Sequence, residues 1–390
     1  MAASIEVDMG PVDGGFPAGN VVRVEVTEHG LVVGFTDGGE VVLPLEWVRD
    51  NCRCGQCRIA QSDERRALPW ARPDAAVKHA SARDGLLQVA FSDGHLATFT
   101  ADTFATIDRA ARRGAHHVRL WHSDSDLGRF DHDDVISDHV TRRDFMEAFR
   151  RDGVAVVNAS PTVPGSVITF MDAIGVAVRD FSFGRIFDIS VDPAGWNVAY
   201  TSEAVPPHND FANYANPPSG QVLAMLVNKA TGGESAIVDG WGAVHRLAET
   251  DPAAVEVLSR VDVGFRQYSD SAEAFSRMPL VRRDSAGRVI HLRFSNQLMQ
   301  PLPFDHPDLA EWYRAYCLLG AQLSDPANQV QFRLNAGDML FVNNHRVLHA
   351  RTEFSSDGAR HLQDVYFDAD EMAGNLARMT GDATNAMVQS

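Results

Sequence analysis

The first part of the chain alternates short apolar stretches with turn residues, and this pattern predicts β-hairpins. Two pairs of stretches each flank an aspartate-glycine turn: Leu31 to Thr36 and Glu40 to Leu45 around Asp37-Gly38-Gly39, and Leu86 to Phe91 and His95 to Thr100 around Ser92-Asp93-Gly94. Asp-Gly between apolar strands is a strong hairpin signal. Two hairpins bury little apolar surface, and small modules of this kind often carry a metal ion that stabilises them.

Helical spacing and short strands share the rest of the chain. The predicted helices are Thr141 to Arg151 with Thr141 as N-cap, Pro164 to Ile174, Trp241 to Leu247 after Asp239, one opening at Asp251-Pro252, and His306-Pro307 to about Leu323. Cys317, within the last helix, is expected to be a core thiol. Short strands and turns fill most of the C-terminal half, which favours a barrel-like sheet over a doubly wound one. We therefore predict an α+β fold that is mostly β.

Length and a change in composition indicate two domains. The chain has 390 residues, enough for more than one core. A polar stretch from Arg113 to Asp134, rich in His, Asp and Ser, is the expected junction. We place the two domains at residues 1–120 and 121–390.

Composition narrows the classes of partner. Hydrophobic residues make up 45% of the chain and charged residues 22%, which is typical of a soluble globular protein. The net charge of −17 argues against a nucleic-acid partner. We find no apolar run of the roughly 18 residues that a membrane span needs. The acidic stretch from Met1 to Asp8 lacks the features of a secretory signal, so we expect a cytoplasmic protein without membrane association.

Three cysteines close together suggest a metal site in the first domain. Cys52, Cys54 and Cys57 lie within six residues of one another. They cannot all pair as disulfides, and in a reducing compartment such spacing favours metal. Three thiolates can occupy three corners of a tetrahedral structural zinc site, with a fourth ligand from elsewhere in the chain.

A second candidate metal site begins at His208-Asn209-Asp210. On an extended segment, residues i and i+2 point to the same face, so His208 and Asp210 would present an imidazole and a carboxylate together. A third ligand, another histidine, would complete the triad of non-haem Fe(II) oxygenases, which leaves coordination positions open. His345 and His349 both follow a strand-like stretch and are the competing candidates.

Six motifs in this order resemble those of a known family. They are Asp50-Asn51-Cys52-Arg53-Cys54-Gly55-Gln56-Cys57, Asn197-Val198-Ala199-Tyr200, His208 with Asp210, Thr231-Gly232-Gly233, His349, and Arg360-His361-Leu362. The chain resembles the 2-oxoglutarate-dependent oxygenases of the taurine dioxygenase type, and among them the γ-butyrobetaine and trimethyllysine hydroxylases, over nearly its whole length. The resemblance implies a double-stranded β-helix (jelly-roll) catalytic domain preceded by a small β-rich zinc-binding domain.

The resemblance also implies roles for individual residues. His349, rather than His345, is the third iron ligand. His95 is the fourth zinc ligand, with His79 as its rival. Arg360 holds the distal carboxylate of 2-oxoglutarate, and Thr231 and Asn197 are further contacts of this cosubstrate.

A small quaternary-ammonium substrate and dioxygen are the implied partners, and relatives suggest a homodimer. Four aromatic residues match the family's cage for a trimethylammonium group, and two residues match contacts to the substrate's anionic end: Phe183, Phe187, Tyr200 and Tyr366 for the cage, and Arg293 and Asn296 for the anion. A cage of this kind works through cation–π attraction. The expected activity is hydroxylation of γ-butyrobetaine to carnitine, with 2-(trimethylamino)ethylphosphonate and trimethyllysine as alternative substrates. An inactive zinc-containing interaction protein is the alternative from another class.

Overall fold

The computed structural model describes residues 5–9, 17, 19–66, 68–71, 76–112, 116–191, 198–268, 273–355 and 358–380. The described residues of Met1–Met9 and His116–Ala377 form one compact unit, the large unit, and those of Gly10–Ala115 and Arg378–Ser390 form the small unit. Strand β1 (Ile5–Asp8) therefore goes with the large unit, and the domain limit at residue 120 stays a prediction. In these ranges no helix has the length and apolarity to cross a membrane.

The described residues of the small unit form two three-stranded antiparallel sheets and two helices. Its elements are β2 (Val21–Thr27), β3 (Gly30–Phe35), β4 (Glu40–Leu43), α1 (Leu45–Asp50), β5 (Val77–Arg83), β6 (Leu86–Phe91), β7 (Leu96–Phe99) and α2 (Ala101–Ala111), with a short 3₁₀ turn at Pro69–Ala71. The predicted hairpins are β3–β4 and β6–β7, and both are confirmed. Each gains one further strand, which provides more surface for a shared core.

The same turn chemistry closes both hairpins. Gly38 and Gly94 each have a φ of 84°, a conformation that favours glycine. The aspartate ahead of each glycine accepts a backbone N–H two residues on, because its short side chain reaches back to the turn. In the second hairpin that N–H belongs to His95, so the turn fixes the backbone of this histidine.

The large unit contains the other strands and helices. The strands are β8 (His117–Leu120), β9 (Arg129–Asp131), β10 (Val154–Asn158), β11 (Phe187–Ser190), β12 (Val205–His208), β13 (Gly220–Asn228), β14 (Ser235–Asp239), β15 (Val263–Tyr268), β16 (Glu273–Met278), β17 (Val281–Arg283), β18 (Val289–Leu292), β19 (Gln329–Phe332), β20 (Met339–Asn343), β21 (Val347–Arg351) and β22 (Arg360–Phe367). The helices are α3 (His132–Ser137), α4 (His139–Asp152), α5 (Ser166–Ala173), α6 (Gly240–Thr250), α7 (Pro252–Arg260), α8 (Leu309–Ser324) and α9 (Ala369–Met379).

Two sheets pack face to face at the centre of the large unit. One has six strands in the order β11-β22-β13-β20-β10-β9, and the other has four in the order β12-β21-β14-β19. Strand pairs in both are antiparallel except β9 with β10. One apolar cluster joins their inner faces, with Val156, Met225, Leu340 and Leu362 from the first sheet and Ile237 and Val347 from the second. The predicted α+β, mostly β, jelly-roll architecture is confirmed.

Several helix predictions hold, with corrections at the ends. Asp239 caps α6 as predicted, through hydrogen bonds from Trp241 and Gly242. The predicted cap of α4 was wrong: Asp138, not Thr141, is the N-cap, because its carboxylate accepts the Thr141 N–H. Cys317 on α8 is exposed and is not a core thiol.

Candidate active site

Two neighbouring strands of the four-stranded sheet bring His208, Asp210 and His349 together. His208 is the last residue of β12, and its Cα is paired with that of His349 on β21. The centroids of the two imidazole rings are 4.2 Å apart. Asp210 comes two residues after His208, and its Oδ1 lies 3.4 Å from His208 Nε2. One ligand atom from each residue lies within 4.8 Å of the others, a spacing that suits one metal ion.

Local hydrogen bonds and burial control the protonation of the two imidazoles. His208 donates from Nδ1 to the Pro206 carbonyl oxygen at 2.9 Å, which leaves its Nε2 facing Asp210. Burial and the nearby His208 lower the pKa of His349 to about 3, so that ring is neutral at physiological pH. Burial also acts to lower the pKa of His208, but the hydrogen bond and charge of Asp210 outweigh it and raise the pKa. A metal ligand must be deprotonated, so metal binding competes with one proton on His208.

Side chains from distant parts of the chain hold Asp210 in place. Its Oδ2 accepts hydrogen bonds from Gln221 Nε2 and from the Tyr366 hydroxyl, each at 2.7 Å. Its backbone N–H donates to Asn344 Oδ1 at 3.0 Å, and Asn344 Nδ2 donates to its carbonyl oxygen at 2.9 Å. Asn344 lies in the turn between β20 and β21, so the turn that leads to His349 also fixes the backbone of Asp210.

His345 lies apart from this cluster. Its ring stacks on that of His291, with centroids 4.0 Å apart and planes inclined by 12°. Its Nε2 donates to the Pro217 carbonyl oxygen at 3.1 Å. Of the two competing histidines, the group of metal-compatible side chains contains His349 only.

Arg360, at the start of β22, is a buried cation with hydrogen-bonding capacity to spare. Arg360 is 9% exposed. Among the described residues, its Nε has no hydrogen-bond partner and no carboxylate forms an ion pair with it. Its guanidinium carbon lies 5.3 Å from the centroid of the Phe354 ring. Burial and the charge of Arg333 lower the pKa of Arg360 to about 10. Buried guanidinium groups are normally paired, so this arrangement indicates an anionic ligand.

Thr231 lies on a tight turn packed against the segment that precedes β22. Gly232 follows it with a φ of 80°, and a Cβ there would lie 2.6 Å from the Glu353 carbonyl oxygen, so only glycine fits. The Thr231 carbonyl oxygen accepts the Ser355 N–H at 2.9 Å. Asn197, the other expected cosubstrate contact, lies outside the described residues.

The four aromatic residues expected to form a cage lie in one continuous row. The ring centroids of Tyr200 and Phe187 are 5.7 Å apart, those of Phe187 and Phe183 5.1 Å, and those of Phe183 and Tyr366 6.4 Å. Phe183 is 37% exposed, whereas Tyr366 is 3% exposed. The row therefore ends at a buried ring, and the hydroxyl of that ring contacts Asp210.

The two residues expected at the substrate's anionic end have different surroundings. Arg293 is buried, and its guanidinium donates to the Ala212 and Ala215 carbonyl oxygens and to the Ser276 hydroxyl at 2.9–3.2 Å. Asn296 is exposed, and its Oδ1 accepts the Tyr316 hydroxyl at 2.7 Å. Direct contact of either residue with a substrate stays a prediction.

The small unit holds the second metal-compatible group, which consists of Cys52, Cys54, Cys57 and His95. His95 Nε2 lies 3.3 Å from Cys52 Sγ and 3.7 Å from Cys57 Sγ. Tetrahedral bonds of about 2.3 Å to sulfur and about 2.0 Å to nitrogen separate two such ligand atoms by about 3.6 Å. The four side chains therefore fit a zinc ion, whereas the rival His79 is exposed on β5 and lies outside the group.

Comparison with protein-family models matches the two ranges of the chain that contain the metal-compatible groups. The model of the taurine catabolism dioxygenase TauD, TfdA family matches residues 107–366, a range that includes His208, Asp210, His349 and Arg360. The chain belongs to this dioxygenase family. A gamma-butyrobetaine hydroxylase-like N-terminal model matches residues 22–105, which include all four side chains of the zinc-compatible group.

Relatives of this dioxygenase align over most of its length. A gamma-butyrobetaine dioxygenase of Pseudomonas sp. (strain AK-1) is 31% identical over 356 residues, which cover 89% of this chain and 93% of the relative. The human gamma-butyrobetaine dioxygenase is 25% identical, covering 89% and 94%. The mitochondrial trimethyllysine dioxygenase of Gallus gallus is 26% identical, covering 86% and 82%.

The dioxygenase site also contains aromatic rings that sequence reasoning did not assign. Phe211, directly after Asp210, has a φ of 59° and packs edge-on against Tyr366, with centroids 4.6 Å apart. Phe181 stacks on Phe211 at 4.3 Å. The available signal in the sequence was the position of Phe211 directly after the candidate ligand Asp210.

Asn209 lies between two of the candidate metal ligands, and its side-chain amide joins three segments. The Asn209 N–H donates to the Phe294 carbonyl oxygen at 2.8 Å, and Asn209 Oδ1 accepts the Phe294 N–H at 3.0 Å. Its Nδ2 donates to the Asn344 carbonyl oxygen at 2.8 Å. A side-chain amide supplies both the donor and the acceptor that these contacts need, so Asn209 supports the backbone around the metal site.

Proposed function

We propose that this dioxygenase is an Fe(II)- and 2-oxoglutarate-dependent hydroxylase of a small trimethylammonium zwitterion, with γ-butyrobetaine as the lead substrate and carnitine as product. One observation carries the proposal: Tyr366 belongs to the row of aromatic rings and also donates a hydrogen bond to Asp210. A cation held against these rings would lie next to the candidate metal ligand Asp210, so the rings would keep a nearby carbon of the same molecule close to the iron that the triad would hold.

The donor set supports iron and 2-oxoglutarate. Two imidazoles and one carboxylate form the facial triad of non-haem Fe(II) oxygenases, with positions left open for a cosubstrate. When bound, iron with 2-oxoglutarate and dioxygen supplies the oxidant for C–H hydroxylation, while 2-oxoglutarate is decarboxylated to succinate. Arg360 would hold the distal carboxylate through two parallel hydrogen bonds, since its guanidinium has no protein carboxylate to pair with among the described residues. We keep Thr231 and Asn197 as further cosubstrate contacts.

The aromatic row would provide orientation and exclude water. A quaternary ammonium cannot donate a hydrogen bond, so ring faces are its best partners. Tyr200, Phe187 and Phe183 would receive the cation, with Tyr366 at the inner end. The rings of Phe211 and Phe181 pack edge-on against Tyr366 and add apolar surface beside it.

Among the trimethylammonium substrates, γ-butyrobetaine has the best support. The bacterial gamma-butyrobetaine dioxygenase is more similar to this chain than the trimethyllysine dioxygenase of Gallus gallus is, at 31% against 26% identity. A phosphonate would be favoured by a guanidinium free to meet its extra charge. Arg293 already donates to three protein oxygens, so it gives no specific reason to prefer that anion. We propose Asn296 as a contact of the carboxylate.

We further propose that zinc in the small unit is structural, because its four side chains would leave no open coordination position. Thiolate ligands and ferrous iron both persist best in a reducing compartment, which supports a cytoplasmic location. The homodimer stays a prediction, and light scattering on the purified protein tests it.

A substrate panel in the presence of iron and 2-oxoglutarate tests the function. The panel contains γ-butyrobetaine, trimethyllysine, 2-(trimethylamino)ethylphosphonate and 5,5-dimethylhexanoate, in which a neutral tert-butyl group replaces trimethylammonium. We expect succinate and a product with one added oxygen atom from a trimethylammonium compound, and much less from the neutral analogue. If no compound stimulates succinate formation and 2-oxoglutarate does not bind, the alternative of an inactive zinc-containing interaction protein is favoured.

A further inference from the structure

The two carboxylate oxygens of Asp210 have different partners. Oδ1 faces His208 Nε2 at 3.4 Å. Oδ2 accepts two hydrogen bonds of 2.7 Å, one from Gln221 Nε2 and one from the Tyr366 hydroxyl. An oxygen that already accepts two short hydrogen bonds is a poor metal ligand, because its lone pairs are occupied. Oδ2 also lies 3.9 Å from His349 Nε2, but its two hydrogen bonds leave Oδ1 as the oxygen available to a metal ion.

Both donors are anchored on a second buried acid. Gln221 Nε2 and the Tyr366 hydroxyl each lie 2.8 Å from Asp364 Oδ2. Gln221 lies on β13, and Asp364 lies on the adjacent β22, two residues before Tyr366. These three residues of one sheet, together with Asp210, are called the assembly below. The three residues around Asp210 are buried: Gln221 and Asp364 are at most 1% exposed, and Tyr366 is 3% exposed.

A count of protons shows how the anchor works. Gln221 has two N–H groups and can serve both acids, whereas the Tyr366 hydroxyl has one proton. If Tyr366 donates to Asp210, its oxygen must accept from Asp364, which therefore carries a proton. Asp364 Oδ1 has no partner among the described residues, which is tolerable for a neutral acid and costly for an anion.

We propose that Gln221 and Tyr366, anchored on Asp364, position Asp210 so that it binds the metal through Oδ1 alone. This inference rests on the proposed function and deepens it, because a carboxylate that binds through one oxygen leaves three positions open on a six-coordinate ion. A two-oxygen cosubstrate and dioxygen need all three. A carboxylate that turned to bind through both oxygens would occupy one of them. Tyr366 then has two separable parts: its ring faces the substrate and its hydroxyl positions the metal ligand.

Tyr366→Phe separates these parts, since it keeps the ring and removes the hydroxyl. Gln221→Met provides a second variant of similar size that removes the other donor. Tyr313→Phe is the matched control. It removes the hydroxyl of a half-buried tyrosine on α8, and this hydroxyl donates to none of the residues of the assembly. Circular dichroism and thermal melting would establish that each variant is folded.

The main readout is Co²⁺ binding to zinc-loaded, iron-free protein, followed by visible absorption, which needs no substrate. We expect Tyr366→Phe and Gln221→Met each to weaken Co²⁺ binding by roughly 10- to 100-fold, the usual range for residues that orient a metal ligand, and to change the absorption band. Tyr313→Phe should match the wild type. Without oxygen, γ-butyrobetaine should bind iron- and 2-oxoglutarate-saturated Tyr366→Phe within about threefold of the wild type, because the cation–π contact remains.

If both folded variants bind Co²⁺ within twofold of the wild type with an unchanged spectrum, the proposal is overturned. The same holds if only the affinity for the trimethylammonium compound falls, since the hydroxyl would then serve the substrate and not the metal ligand. The two proposals remain distinguishable. If the variants lose Co²⁺ affinity but no substrate of the panel reacts with the wild type, the positioning of Asp210 is supported and the hydroxylase function is rejected. If the panel contains a substrate but the variants bind Co²⁺ as the wild type does, the hydroxylase function is supported and the positioning is rejected.

Discussion

Replacing Arg360 with alanine should separate ligand binding from stability. The guanidinium is buried beside Arg333, no carboxylate pairs with it in the described part of the chain, and its Nε lacks a partner there. Its removal therefore leaves no acid of the described residues unpaired. It removes the contact with the Phe354 ring, at 5.3 Å, together with the cost of burying a charge that lowers the pKa of Arg360.

The magnitude follows from the pair that 2-oxoglutarate would form. Truncating one partner of a buried, hydrogen-bonded charge pair costs about 2–5 kcal/mol. At about 1.4 kcal/mol per tenfold change, the KM for 2-oxoglutarate should rise roughly 30- to 4,000-fold in Arg360→Ala. Arg360→Lys keeps the charge but loses the planar guanidinium, so its KM for 2-oxoglutarate should lie between those of the wild type and Arg360→Ala. The melting temperature of the ligand-free protein should not decrease, because the buried cation that is removed has no acidic partner among the described residues.

Succinate formation against 2-oxoglutarate concentration, with γ-butyrobetaine saturating, measures the first effect, and thermal melting without ligands measures the second. Arg246→Ala is the matched control: this half-buried arginine on α6 likewise has no ion pair with a described carboxylate, and it bonds Gln322 and His122. It should leave the KM unchanged. A rise of less than threefold in Arg360→Ala, or a large fall in melting temperature without a change in KM, would refute the assignment.

Four further predictions address the remaining assignments. Cys52→Ser should release zinc and lower the melting temperature of the small unit by more than about 10 °C, with iron per folded molecule unchanged; zinc-free native protein purified without chelators would contradict this. His349→Ala should abolish turnover and Co²⁺ binding at the triad, whereas His345→Ala should retain both, and the opposite result would reassign the ligand. Tyr200→Ala should raise the KM for γ-butyrobetaine several-fold to tens-fold, since about 0.5–2 kcal/mol of cation–π energy is lost, while binding of 5,5-dimethylhexanoate should change far less. Co²⁺ affinity should fall tenfold per pH unit as the pH decreases below the raised pKa of His208, because one proton on His208 competes with the metal while His349 stays neutral. A hundredfold fall per pH unit would show that two protons compete, and would contradict the neutral state of His349.

Local sequence accounts for much of the fold. Aspartate-glycine turns between apolar strands predicted the two hairpins of the small unit, because that dipeptide adopts the conformations that tight turns require. Asp239 was recognised as a cap for a similar reason, since its side chain reaches backbone N–H groups two and three residues away. Local signals failed where several short polar residues competed, as at α4, where Asp138 lies only three residues before Thr141.

Spacing along the chain also brought His208 and Asp210 into one candidate site, since alternate residues of an extended segment share a face. Only tertiary structure separated His349 from His345, because strand pairing puts His349 opposite His208 while a turn sends His345 to His291. The hydrogen bonds that hold Asp210 likewise join residues up to 156 positions apart.

The burial of Arg293 and the free donors of Arg360 were equally invisible in the sequence. Both are arginines near strands, and residue type alone gives them the same charge and the same five donors. What differs is the set of acceptors that the fold brings within reach: carbonyl oxygens of Ala212 and Ala215 for Arg293, and no carboxylate of the described residues for Arg360. Local sequence determines which groups are present and which way a strand presents them, but the partners of a buried charge are set by contacts between segments distant in the chain.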